Sequence, residues 1–354
     1  MSSTLLAVHK HLPPYRYAQQ ELAELFVAGV QAEGPRRELI NQVFTSTTVQ
    51  SRHLAIPPAE YARLTTLGKV SDRHHQVAGD LAAQALRAAL GRAGVEPRDV
   101  DMFITNTSTG IAVPTIDIEL AVRLGMRRDV QRMPLFGTGC GGGGLGLARL
   151  NDYLRAWPDH TAVLLSVELP SMNWHPQPLT FEYILGTALF GDAVAVVVAC
   201  GPQAPAARSG YHPRIQATRH HVSPGTTHLA GWRLEDRGIE VILHRDLADG
   251  FAEPLEGDVR GFLDDHGLTA GDITAWPCHP GGPKILDNVA KVLGLPTDAL
   301  DLSRAHLRDC GNCVSASVLH ILADTIEAGP PRDSPGLLLS LGPGLYSEMV
   351  LLRW

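Results

Sequence analysis

A chain of 354 residues, 44% of them hydrophobic, is long enough for about two domains. Thirty Lys and Arg against 37 Asp and Glu leave a net charge of −7 with no basic run, which argues against a nucleic-acid surface. No stretch approaches the ~18 apolar residues of a membrane span, the apolar run Leu5 to Val8 is short for a signal sequence, and five cysteines make no disulfide scaffold. A soluble enzyme of the reducing cytoplasm is the expectation.

In chain order, Val77, Leu81, Ala85, Leu86 and Leu90 recur at helical spacing and predict an amphipathic helix. A glycine turn and a short strand, Val100 to Ile104, follow. A helix is predicted from Ile116 to Leu124, another from Gly139, and an apolar strand from Thr161 to Val167. Gly201 to Gly231, rich in Pro, His and Thr, reads as a connecting excursion. The series then recurs about 170 positions later, as an internal repeat would. Leu263, Gly267 and Asp272 echo Leu90, Gly94 and Asp99; a strand is predicted at Ile273 to Pro277, a helix at Ile285 to Leu293, a helix beside Gly311, and a strand at Gly336 to Leu341. Alternating helices and strands imply an α/β fold with helices packed on sheets. Two pseudo-symmetric halves are expected, residues 1–204 and 205–354.

The repeat superposes Cys140, in Gly139-Cys140-Gly141, on Asn312, in Gly311-Asn312-Cys313. A thiol where a glycine turn opens a helix feels the positive end of the dipole, which favours its thiolate. An Asn in the matching place offers amide donors. Pseudo-symmetry would bring the two turns face to face, with Cys278-His279-Pro280-Gly281-Gly282 as the third contributor. Thiol, imidazole and amide converging on one point would suit acyl transfer. Other readings stand beside this one. Gly137-x-Gly139-x-x-Gly142, with Glu168 ending the next strand, imitates a dinucleotide fingerprint, but lies mid-chain and has no glycine counterpart around Gly311. Cys310-x-x-Cys313 lacks the second pair of a zinc site. Cys200, Cys278 and Cys313 read as small buried hydrophobes, and His74 and His75 as surface or satisfied groups. On local sequence alone Cys140 reads equally well as a packing residue.

Five blocks decide between these. They are Gly139-Cys140, Gly186-Thr187-Ala188-Leu189-Phe190-Gly191-Asp192, His279-Pro280-Gly281-Gly282-Pro283-Lys284-Ile285-Leu286, Gly311-Asn312-Cys313-Val314-Ser315 and Gly342-Pro343-Gly344. With them the chain, from about Arg52 onward, resembles the type III polyketide synthases, the chalcone-synthase-like branch of the thiolase superfamily. The resemblance implies a duplicated thiolase fold with a five-layered αβαβα core, a homodimer, and acyl-CoA and malonyl-CoA as substrates, with no cofactor or metal. Cys140 would carry the acyl chain, with His279 paired to its thiolate. His279 and Asn312 would stabilise the enolate left by decarboxylation. Phe190 matches a gatekeeping aromatic in the Gly186 block, and a second gatekeeper falls on Val241. The small Val241 implies a longer starter, hence a fatty acyl-CoA and an alkylpyrone or alkylresorcinol product. Glu168 and Ser108 match a network linked to aldol closure, but Val314 stands where plant members often have Ser, which favours lactonisation. The basic residues that meet the coenzyme phosphates in plant members are not evident, leaving Arg36, Arg37 and Arg52 as candidates. Rival readings are a synthase primed by malonyl-CoA itself, a single-condensation ketoacyl synthase III-like enzyme on a carrier protein, which would need a basic docking patch, and a non-catalytic homologue, which the intact Cys140, His279 and Asn312 oppose.

Overall fold

The computed structural model describes residues 2–174, 179–208, 212–236 and 238–354. Its strands are β1 (Ser3–His11), β2 (Tyr15–Ala18), β3 (Ser51–Leu54), β4 (Met102–Thr107), β5 (Gln131–Phe136), β6 (Thr161–Glu168), β7 (Ala193–Cys200), β8 (Arg214–Val222), β9 (Ala230–Glu235), β10 (Gly238–Leu243), β11 (Pro335–Gly342) and β12 (Tyr346–Arg353). Eight of them form one hydrogen-bonded run in the order β11-β12-β8-β1-β7-β6-β4-β5; β2 pairs with β3, and β9 with β10. The long run is two sheets joined at their centre, where β1 meets β8 through only two residue pairs. Outward from that joint the order repeats: β1-β7-β6-β4 on one side, β8-β12-β11 on the other.

Helices make the remaining layers. Leu67–Ala93 and Ile116–Leu124 cover the outer face of the first sheet, burying Leu81, Leu86, Leu90 and Leu120 against Val163, Leu165, Val196 and Val198. Leu247–Asp264 and Pro283–Val292 cover the outer face of the second. Gly142–Ala156 and Ser315–Ala328 lie between the sheets and touch both. The result is the five-layered, duplicated thiolase arrangement expected. Strand β7, Ala193–Cys200, is apolar and buried throughout because helices close both its faces. The middle layer needs backbone-to-backbone approach: a Cβ on Gly143 would lie 2.5 Å from the Ser315 carbonyl oxygen. Close-packed interiors leave no slack for it.

The helix Ile116–Leu124 has its predicted ends, and Gly94 and Gly125 stop the preceding and present helices in the left-handed conformation. Two expectations need correction. Ile273–Pro277 is not a regular strand, although its backbone runs alongside β11, with Thr274 N donating to Pro335 O and Leu337 N to Ala275 O. Pro277 and Pro335 each lack the N–H that a parallel ladder would require at that step. The excursion Gly201 to Gly231 contains β8, a full member of the long sheet and the counterpart of β1. Its sequence, Arg-Ile-Gln-Ala-Thr-Arg-His-His-Val, buries little beyond Ile215, so its apolar signal is faint.

Candidate active site

Strand β5 ends in a turn at Gly137 (φ 74°) and Gly139 (φ 54°) that sets Cys140 just ahead of the helix Gly142–Ala156. Gly139 N donates to Ser108 Oγ (2.7 Å), and Ser340 Oγ donates to the Cys140 carbonyl (3.2 Å). A Cβ on Gly139 would stand 2.6 Å from Pro343 Cδ, so the Gly-Pro-Gly block at the C-terminal end packs on the cysteine turn. Of the glycines that imitate a dinucleotide fingerprint, Gly139 and Gly142 face protein side chains, whereas a Cβ on Gly137 would meet nothing within 4 Å.

Asn312 faces Cys140, as the repeat predicts. Its Oδ1 accepts the Val314 N–H (2.8 Å), which turns its Nδ2 toward Cys140 Sγ at 3.8 Å. That turn holds Val314 at φ 51°, a region a β-branched residue rarely occupies, and the strain sits at the site. Main-chain bonds tie Asn312 to the Gly186 block: its N–H donates to Leu189 O (2.9 Å), and Gly191 N donates to its carbonyl (3.0 Å).

His279 follows the irregular segment beside β11 and is held through its N–H on Leu339 O (2.9 Å). The residue is 1% exposed, and neither ring nitrogen has a hydrogen-bond partner among the described residues. The predicted His279–thiolate pair is therefore not formed in this structure; the thiol's side-chain contact is with Asn312. Burial presses the imidazole down to about 3. It also pushes the Cys140 thiol up to about 12, with the Asn312 hydrogen bond pulling the other way and Glu168 adding to the rise. Burial thus works against the thiolate that the helix end was expected to favour, and against a charged imidazole.

Cys140, His279 and Asn312 open on one cavity, about 870 Å³ of empty space counting its mouth. Phe190, Val241, Ser108 and Val314 line it too. Gly186 lies behind Phe190 and Val241: a Cβ there would be 3.6 Å from the Phe190 ring and 3.9 Å from Val241 Cβ. Glu168 does not line the cavity. It is fully buried and accepts from Ser108 N (3.0 Å), Thr109 Oγ1 (3.0 Å) and Ser315 Oγ (2.5 Å), and burial raises it to about 7. Ser315, whose hydroxyl donates to Glu168 from the position after Val314, is a partner the sequence reasoning missed.

Trp232 was missed as well. In the β9–β10 register it stands directly opposite Val241, so both side chains project from one face into the cavity. Its ring meets Phe136 edge-on, with centroids 5.7 Å apart. Space conceded by Val241 is thereby bounded by an indole. The alternation along two short facing strands was the available signal.

Among the coenzyme-phosphate candidates, Arg36 and Arg37 are exposed on the helix Gly34–Ser46, whereas Arg52 is fully buried and cannot reach a phosphate. Cys200, Cys278 and Cys313 are buried, as expected of small hydrophobes. His74 is buried against Thr109 Oγ1 (3.2 Å), and His75 meets Glu119 at the surface.

Comparison with known proteins agrees with this geometry. The family model "Chalcone and stilbene synthases, N-terminal domain" matches residues 2–202, and its C-terminal companion matches residues 214–354. A 1,3,6,8-tetrahydroxynaphthalene synthase of Streptomyces peucetius subsp. caesius is 45% identical over 99% of this chain and 93% of its own length. Type III polyketide synthase A of Arabidopsis thaliana is 30% identical over 99% of this chain and 92% of its own. The crystal structure of the Streptomyces coelicolor 1,3,6,8-tetrahydroxynaphthalene synthase superposes with a TM-score of 0.92 at 26% identity, covering 99% of each chain.

Proposed function

Because the chain belongs to the chalcone and stilbene synthases, a family of type III polyketide synthases, we propose that it uses malonyl-CoA as both starter and extender. The product of this reading is a small aromatic polyketide of the tetrahydroxynaphthalene class. The observation that carries it is the 45% identity, over nearly the whole chain, to a synthase of that name. Trp232 opposite Val241 supports it, since the indole limits the room a long acyl tail would need.

In this scheme His279, neutral at rest, takes the Cys140 proton as sulfur attacks the malonyl thioester, and returns it to the departing coenzyme A thiolate. An extender thioester then lies with its oxygen toward the Asn312 amide and His279, whose facing nitrogen takes a proton from solvent and later gives it to the Cys140 sulfur. Loss of carbon dioxide leaves an enolate whose charge these donors stabilise. Its carbon attacks the Cys140-bound acyl group, and the bonding pair returns to sulfur, so each extension takes up one proton. No step calls on a cofactor or a metal. Ser315 keeps a hydroxyl on Glu168, which supports aldol closure beside the lactonisation that Val314 favours.

The test is the purified chain with malonyl-CoA alone. An aromatic product is expected, and Val241→Phe should lower its rate by no more than about threefold, since a small starter needs none of that volume. The fatty-starter reading is kept because Val241 does line the cavity. It takes over if malonyl-CoA alone gives nothing and long acyl-CoA starters do. Val241→Phe should then cut kcat/KM about fourfold for each methylene it stops burying.

The chain is further proposed to act as a cytoplasmic homodimer. Among the described residues no helix is long and apolar enough to cross a membrane, and all five cysteines are free thiols. Strand β5 leaves one edge unpaired among the described residues, and Val113 (95% exposed) and Phe136 (50%) stand out near it. An open edge beside apolar side chains invites a second copy. Sedimentation velocity at micromolar concentration should find twice the 38.1 kDa chain mass; a species at the chain mass removes the proposal.

A further inference from the structure

Arg52 is a fully buried guanidinium whose place the acyl-transfer scheme does not explain. It rises from β3, donates through Nε to Gln19 Oε1 (3.0 Å), and through Nη1 to the carbonyls of Phe190 (2.7 Å) and Thr187 (2.5 Å). Both carbonyls end the helix Phe181–Leu189, where the last C=O groups lack helical partners and carry the negative end of the dipole. Gln19 Nε2 donates to a third of them, Ala188 O (2.7 Å). The rings of Trp174 and Phe44 lie 5.4 and 5.8 Å from the guanidinium carbon. Nη2 has no partner.

The same helix end runs straight into the catalytic segment. Phe190 and Asn312 pair as a parallel bridge, closed by Asn312 N on Leu189 O and Gly191 N on Asn312 O. The Arg52 stem presses on the other flank: a Cβ on Gly311 would be 3.0 Å from Arg52 Cδ and 2.7 Å from Leu189 O. Gly311, at φ 74°, fits where a side chain could not. Arg52 therefore fixes the strip that carries Asn312 from both sides. A planar fork can hold several fixed carbonyls at once, whereas a lysine ammonium is a point charge on a flexible stem.

We propose that Arg52 is a positioning residue, which by clamping the Thr187 and Phe190 carbonyls holds the Asn312 amide and the Phe190 gate at their distance from Cys140. The proposal rests on Asn312 being the donor to the thioester oxygen. Its consequence is selective: decarboxylation depends on where that amide stands, while the reactivity of Cys140 toward a small alkylating agent does not.

The experiment uses full-length Arg52→Lys, which keeps the charge and loses the fork, with Gln19→Met as a milder second variant that frees one arm of the clamp. Malonyl-CoA decarboxylation, iodoacetamide alkylation of Cys140 and thermal melting are followed in each. Arg52→Lys should lower the decarboxylation kcat by about 10- to 100-fold with KM changed less than threefold, the expected pattern when a transition-state contact is lost. Alkylation should stay within twofold of the parent. Gln19→Met should shift the same ratio in the same direction by severalfold, and it decides the matter if Arg52→Lys melts early. Equal loss of decarboxylation and alkylation in Gln19→Met, or retention of both in a folded Arg52→Lys, overturns the proposal. A crystal structure of Arg52→Lys separates the two layers. Asn312 displaced with decarboxylation intact sinks the donor reading, and Asn312 unmoved sinks the role of Arg52.

Discussion

Cys140→Ala should release carbon dioxide from malonyl-CoA while forming no polyketide, and Asn312→Ala should lose about 10²- to 10³-fold in carbon dioxide release. The two residues touch, with Nδ2 of one 3.8 Å from the sulfur of the other, yet they serve different bonds. Decarboxylation places charge on the thioester oxygen, and only donors to that oxygen lower its barrier. In the proposed scheme Asn312 is such a donor: its own Oδ1 is committed to Val314 N, leaving the amide protons for the cavity. Chain growth needs a sulfur that can be acylated. All five cysteines have thiols pushed up by burial, so acidity does not single out Cys140; access does. It alone among them lines the cavity with His279 and Asn312. Mass spectrometry after brief exposure to malonyl-CoA should accordingly place the adduct on the Cys140 peptide. An adduct on Cys278, Cys310 or Cys313 that survives Cys140→Ala would contradict this. So would complete loss of carbon dioxide release in Cys140→Ala.

The pairing of Cys140 with Asn312 was legible because it depends on chain order. Two copies of one helix–strand series must place equivalent turns in equivalent positions, and both turns carry a glycine ahead of a polar residue. His279 was legible through its Pro-Gly-Gly neighbours, and Phe190 through its block. Long periodic elements were readable for the same reason that they are stable: Ile116–Leu124 buries one face and ends at a left-handed glycine.

What escaped depends on distance across the fold. The pull of burial on Cys140 and His279 comes from surrounding protein that no local motif records, and it opposes the expectation drawn from the helix end. Trp232 faces Val241 through a strand register that two short strands barely announce. Arg52 reads as a surface cation until Gln19, Thr187 and Phe190 are seen around it. Ser315 lies next to the position inspected and does its work from the next step of the helix turn. In each case residue type pointed to the ordinary role, and tertiary contact assigned another.

The same burial predicts how the fold responds to acid. Stability should fall by about 2–3 kcal/mol per pH unit as pH drops from about 6 to 5, above the range in which ordinary carboxylates titrate. Four buried imidazoles drive the loss. Burial holds His279 to about 3, His74 and His320 to about 4, and His306 well below its usual value, with His306 and His320 packed ring to ring at 5.4 Å. In the unfolded chain each takes a proton near 6.5, so below that pH the unfolded state binds protons that the folded state refuses. Two buried carboxyls act the other way. Glu168, raised to about 7, and Asp192, raised to about 6, take protons in the folded state before the unfolded one does, and so add stability as pH falls. Four against two leaves about two protons favouring the unfolded state in this window, hence the slope. His9, His11 and His53, lowered by burial, push the same way, and Asp258 and Glu348, raised by burial, push back. Urea denaturation at half-unit steps of pH measures it. His320→Gln, which can keep a donor toward Val194 O, should reduce the slope by about one proton's worth, roughly 1.4 kcal/mol per pH unit. A stability that is flat or rises from pH 6 to pH 5 would mean that these imidazoles accept protons inside the fold.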